Sequence, residues 1–158
     1  LMFTGSKCGK AEEALNFYQS VFKDAQKGAV HHYPPGMEPD KESSVMFADT
    51  RLEDTWLAAM DSAREHGFDF NEAVSFMVTC KDQEEIDYYW QKLSAVPESE
   101  QCGWLKDKYG LSWQITSAEM ETMMQQGTQE EIDRITRAFL PMKKIDIAKI
   151  KAAVGKGE

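Results

Sequence analysis

The spacing of apolar positions predicts two matched amphipathic helices, each set among strands. In the first, Ala11, Ala14, Leu15, Tyr18, Val21 and Phe22 fall on one stripe at three- and four-residue steps. In the second, Ile86, Tyr89, Trp90 and Leu93 do the same. Asp82 followed by Glu85 has the spacing of a capping box, which starts this helix near Gln83. A short apolar stretch precedes each helix, Leu1–Gly5 and Val74–Cys80, and the second is rich in β-formers. Strand-like runs follow each helix. After the first come Gly28–Tyr33, Val45–Asp49 and Thr55–Met60. After the second come a weak run near Glu98–Gln101, then Cys102–Leu105 and Leu111–Thr116. Pro34-Pro35-Gly36 and Asp107-Lys108-Tyr109-Gly110 supply turns.

The two halves repeat. Ala11-Glu12-Glu13-Ala14-Leu15-Asn16-Phe17-Tyr18 aligns with Gln83-Glu84-Glu85-Ile86-Asp87-Tyr88-Tyr89-Trp90, every pair at the separation of Glu12 from Glu84. The expected class is α+β: two tandem βαβββ modules forming a cleft, plus C-terminal helices. Module one is expected over about 1–66, module two over about 73–118, and a helical tail over 119–158, with Arg64–Asn71 as the linker. In the tail, Thr128 with Glu131 repeats the capping-box spacing, and Ile132, Ile135 and Phe139 share a face. Pro141 ends that helix, and a further one is expected within Asp146–Val154. The apolar faces of the tail need a partner surface, expected on the same chain.

Composition narrows the function classes. An apolar fraction of 42%, with eight Phe, five Tyr, four Trp and nine Met among 158 residues, is enough for a proper core. The formal net charge of −9 argues against nucleic-acid and anionic-membrane partners, which are recognised by basic patches. Cys8, Cys80 and Cys102 are odd in number and unclustered, so neither a zinc knot nor a disulfide framework is indicated. Reduced thiols and a cytoplasmic location are expected. No apolar run approaches a membrane span. The chain opens on Leu-Met-Phe, inside an expected strand, so the native N-terminus is expected upstream.

The repeated βαβββ order resembles the vicinal-oxygen-chelate superfamily, which includes glyoxalase I and extradiol dioxygenases. Local motifs narrow the resemblance to the PhnB-like, or demethylubiquinone methyltransferase-like, family. They are Ala11-Glu12-Glu13-Ala14 with Phe17-Tyr18, Gln83-Glu84-Glu85-Ile86-Asp87 with Trp90, and Cys102-Gly103-Trp104-Leu105-Lys106-Asp107 followed by Tyr109-Gly110-Leu111-Ser112-Trp113-Gln114. Met142-Lys143-Lys144-Ile145-Asp146 resembles the family's C-terminal ending. The resemblance implies the fold and a methyltransferase label. No glycine-rich loop of the Rossmann type follows the first strand.

Metal-using members of that superfamily bring four side chains, usually His and Glu, from four strands to one ion. Counting back from Tyr18 and Trp90, and matching Asp61-Ser62 to Thr116-Ser117, puts Phe3, Ser75, Ala59 and Gln114 at those positions. Phe3 and Ala59 are not ligands, and Ser75 and Gln114 are weak ones. His31, His32 and His66 fall at a strand end and in the linker. The expectation is a protein without a metal or other cofactor.

If Gln114 faces the cleft, alternation places Ser112 and Thr116 beside it and sends Leu111, Trp113 and Ile115 under the helices. The same counting turns Ser75, Met77 and Thr79 inward, along with Leu57, Ala59 and Asp61. The expected ligand-binding set is Ser75, Met77, Trp104, Ser112 and Gln114. Three residues are catalytic candidates, each with a plainer alternative. Cys102 near Lys106 is either an activated thiol or a packed strand cysteine. Asp61 with His66 is either an acid–base pair or a turn aspartate and a solvated histidine. The expected function is the binding of a small metabolite in a metal-free cleft, with or without turnover. The alternatives are a non-enzymatic sequestering protein and a quinone-biosynthesis methyltransferase. A homodimer is expected from the resemblance.

Overall fold

In a computed structural model the two matched helices span Ala11–Val21 (α1) and Gln83–Leu93 (α2), 11 residues each. Their first residues have the separation that the repeat requires. Asp82 caps α2 by accepting from the Glu85 N–H. The structure describes residues 1–155. The chain divides into two compact units, Leu1–Asp69 and the remainder from Phe70.

In the first unit, α1 follows β1 (Met2–Phe3) and precedes β2 (Ala25–His32), β3 (Val45–Leu52) and β4 (Thr55–Asp61). The sheet runs β1-β4-β3-β2, with β1 parallel to β4 and the other pairs antiparallel. Apart from Val45 at the start of β3, its buried side chains are Phe3, Ala48, Thr50, Leu52, Leu57, Ala59 and Asp61. They face α1, whose Gln19 donates to the Thr50 hydroxyl at 2.9 Å. The opposite face carries Trp56 and Ala58, both exposed, and Met60.

This corrects the expected alternation, since Leu57, Ala59 and Asp61 point under the helix and not into a cleft. Asp61, the last residue of β4, pairs with Phe3. Ser117, the last residue of β7 (Ser112–Ser117), pairs with Cys80. Asp61 therefore corresponds to Ser117, not Thr116, and Phe3 to Cys80, not Ser75. A one-residue slip moves every side chain to the other face of a strand. The offset between the helices fails for the strands because β1 reaches α1 through Thr4–Lys10, which includes a 3-10 turn at Gly5–Lys7. The second half makes the same connection with Lys81–Asp82 alone.

In the second unit, β5 (Phe76–Cys80), β6 (Trp104–Lys106) and β7 form a sheet of order β5-β7-β6. Trp113 and Ile115 are buried on its helix side, Trp113 with its ring 5.4 Å from that of Phe76. The weak strand expected near Glu98–Gln101 does not form. Pro97–Ser99 is a 3-10 turn, and Gln101 makes one isolated bridge to Trp104. Pro97 begins that turn and has no N–H to give a ladder. Module two is thus βαββ where βαβββ was expected, and the α+β class stands.

The tail forms α3 (Ala118–Gln126), α4 (Gln129–Phe139) and α5 (Ile147–Val154). The Thr128–Glu131 capping box is formed, and Asp146 caps α5. Ile135, Ile145, Ile147 and Ile150 are buried. The segment between α4 and α5 is stitched to the Cys102-Gly103 turn and to α2 of the same unit by backbone and amide groups. Cys102 N–H donates to the Met142 carbonyl and Gly103 N–H to that of Lys143, each at 2.7 Å. The Gln83 side-chain amide donates to the Ile145 carbonyl and accepts from the Ile147 N–H. The Cys102-Gly103 and Met142-Lys143 motifs are therefore two sides of one docking contact.

Candidate functional site

The face of the second sheet opposite α2 is laid out in rows by its register. Gln114 stands opposite Met77 on one side and Trp104 on the other. Ser112 stands opposite Lys106, and Thr116 opposite Thr79. Paired residues share a face, so Met77, Trp104, Lys106, Ser112, Gln114 and Thr116 lie together. They line a cavity of about 870 Å³. Met120 and Glu121 of α3, Phe139 and Leu140 at the end of α4, and Ile145 complete its walls.

The polar groups of this cavity are held in particular ways. Gln114 Nε2 donates to the Ser75 hydroxyl at 2.8 Å. Glu121 accepts from the Thr79 hydroxyl at 3.1 Å. Lys106 is ion-paired with Glu72, and the hydrogen bond from its ammonium holds the Glu72 carboxyl below the usual range. The Ser112 hydroxyl is buried, at 1% residue exposure, and has no hydrogen-bond partner. Such a group costs about 1–3 kcal/mol relative to a paired one.

The structure gathers Met77, Trp104, Ser112 and Gln114 around one cavity, with Ser75 bonded to Gln114 beside them. Cys102 also lines it, on a turn with φ of 51° and with its thiol against the Leu140 carbonyl. Lys106, its suggested activating cation, is engaged by Glu72 instead. Asp61 and His66 belong to the first unit. Asp61 is 1% exposed and accepts from the N–H groups of Gly9, Ala11 and Val45, an anchor joining β4 to the start of α1 and to β3. The His66 ring nitrogen meets the Ser62 hydroxyl at 2.9 Å, and its ring lies 5.0 Å from that of Phe68. The tail residues in the cavity wall were not assigned to the site from sequence. Their signal was the apolar faces of the tail, which required a partner surface but did not say which.

Burial raises the thiols of Cys80 and Cys8. It pushes Cys80 up to about 12, helped by the nearby Glu85 and Asp82 carboxylates. It also raises Cys8, with Asp61 and Asp40 adding to the effect.

A superfamily-type divalent ion does not fit these residues. The second sheet offers Ser75 and Gln114, bonded to each other, and the open face of the first offers Trp56, Ala58 and Met60. Beside Gln114 in the cavity lining, the Glu72 carboxylate is engaged by Lys106 and that of Glu121 by the Thr79 hydroxyl. Among the described residues, no group of three or more His, Cys, Asp or Glu side chains is placed to hold a metal ion.

The family model for 3-demethylubiquinone-9 3-methyltransferase matches residues 1–116. A solved PhnB protein from Bacillus cereus, given as a candidate 3-demethylubiquinone-9 3-methyltransferase, shares 40% identity. That likeness covers 75% of this chain and 95% of that one, with a TM-score of 0.62. The chain belongs to the PhnB-like family. A protein of known crystal structure from Pseudomonas aeruginosa shares the fold of this PhnB-like chain at 16% identity and a TM-score of 0.57. There the likeness covers 74% of this chain and 92% of the other. No curated protein matches. The family match ends at Thr116, so Met120, Phe139, Leu140 and Ile145 lie beyond it. Among the described residues, no helix of the PhnB-like chain is long and apolar enough to cross a membrane.

Proposed function

We propose that this PhnB-like protein binds a small metabolite in the cavity of its second unit. The observation that carries the reading is Ser112, a buried hydroxyl on the cavity face of β7 with no partner. A ligand atom settling onto it would recover the cost of leaving it unpaired. The surroundings suit a small-molecule site, with a thioether, an amide and an indole in one row and a few polar groups around them. Sequestration without turnover is the favoured form of the reading. Asp61 and His66, the suggested acid–base pair, sit in the first unit, and Asp61 is taken up by backbone donors.

The test is a thermal-shift screen of small metabolites on the wild-type protein and on Ser112→Ala. The unliganded variant should be as stable as wild type or slightly more so, because an unpaired hydroxyl is removed. Hits on the wild type should lose most of their shift on the variant. Equal shifts on both proteins would sink the proposal.

The family description names a methyl transfer, for which S-adenosylmethionine is the usual donor. The residues here fit that donor poorly, because its carboxylate needs a cation and Lys106 is already paired with Glu72. No thermal shift is expected with it, and a saturable shift would revive the methyltransferase reading. We further propose a homodimer. Phe47 and Trp56 support it, two large apolar side chains 41% and 52% exposed in the first unit. Light scattering at micromolar concentration should give twice the chain mass, and a monomer mass would overturn the assignment.

A further inference from the structure

We infer that the cavity of the second unit selects ring compounds that are uncharged or cationic and rejects anionic ones. This rests on reading the cavity as a binding site. Three carboxylates stand in its lining, Glu72, Glu98 and Glu121, against one ammonium, Lys106. Lys106 is spent on Glu72. Glu121 is held by a hydroxyl, which leaves its charge in place. An anion entering would therefore meet two carboxylates that no cation of the lining offsets, in a chain whose formal net charge is already −9.

The uncharged part of the lining points to a planar ligand. Met77 and Trp104 flank Gln114 across three strands and offer a polarisable, flat-sided floor. With its Nε2 committed to Ser75, Gln114 presents its carbonyl oxygen as an acceptor. An acceptor amide beside carboxylates favours a ligand that donates, such as an amide N–H or an amidinium. Ser112 then supplies one hydroxyl able to pair with an acceptor on the same ligand.

Benzamide, benzamidinium and benzoate separate charge from shape, since all three are a phenyl ring bearing one planar group of similar size. Ligand-observed NMR titrations of the full chain with each, at millimolar concentration, test the inference. Benzamide and benzamidinium should bind, and benzoate should bind at least about tenfold more weakly, the scale of unit-charge interactions in a partly solvated cavity. The Glu121→Gln variant should narrow that gap. Benzoate binding as well as benzamide, or an unchanged gap in the variant, overturns the charge selection and leaves the site standing. Binding by none of the three, or binding that Ser112→Ala leaves untouched, overturns the site itself.

Discussion

Gly103 N–H donates to the Lys143 carbonyl at 2.7 Å, from a backbone with φ of 84°. A Cβ added to Gly103 would lie 2.8 Å from the Ile115 carbonyl oxygen and 3.3 Å from Ile145 Cγ1. Two penalties therefore meet at one position, the left-handed backbone and a collision with β7 and the tail. Gly36 has a similar φ of 81° but open space around its Cβ position. Gly36→Ala should cost about 1 kcal/mol from backbone conformation alone. Gly103→Ala should cost clearly more, about 2–4 kcal/mol, because the collision is with backbone. Chemical denaturation of both variants checks this, and equal losses would refute a tail-docking role for Gly103.

The helices were legible in the sequence because each buries one stripe and carries local start signals, such as Asp82 and Thr128, that need no distant partner. The strands were legible as runs but not as faces. Whether Leu57 points to the helix or away depends on the register of β4 against β1, and that is fixed by a connection longer in one half than in the other. The cavity floor was readable because Ser112, Gln114 and Thr116 alternate with Trp113 and Ile115 inside one strand. Its remaining wall was not, because Phe139 and Leu140 meet Cys102 and Trp104 only after the tail has folded back.

Asp61 gives a sharper view of how a tempting residue can be structural. Its two oxygens accept from Gly9, Ala11 and Val45 at 2.7, 3.1 and 2.9 Å. Asp61→Ala would leave three N–H groups without this acceptor at a site that is 1% exposed. A loss of about 3–5 kcal/mol is expected, from hydrogen bonds to a charged group and the unpaired donors left behind. Any ligand found for the second-unit cavity should keep its affinity, measured by titration calorimetry at a temperature where the variant remains folded. A large drop in affinity with unchanged stability would restore Asp61 as a functional group.

Thiol chemistry separates the cysteines. Cys80 is fully buried, and its thiol is pushed up to about 12, so almost none of it is thiolate near neutral pH. Treatment of the native protein with a thiol-specific alkylating reagent at pH 7.5, followed by peptide mass spectrometry, should leave Cys80 unmodified. The same reagent under denaturing conditions should modify it fully. Rapid native alkylation of Cys80 would show that the region between β5 and α2 opens far more readily than its packing indicates.

The tail should loosen in acid. Three carboxylates that fasten the tail or cap its helices are held below their usual range: Asp87 by the Lys144 ammonium and the Gln83 amide, Glu131 by the Thr128 backbone and hydroxyl, and Asp146 first by the Lys149 N–H. A carboxyl lowered in the folded state stabilises it at pH values above its unfolded value, about 3.9 for Asp and 4.3 for Glu. That contribution is lost as pH falls through the lower folded value. All three groups are largely solvated, so each effect is small, but they act on one segment. Amide hydrogen exchange over residues 128–150 should therefore lose protection between pH 5 and pH 3. Protection that does not change down to pH 3 would mean that these carboxylates do not hold the tail.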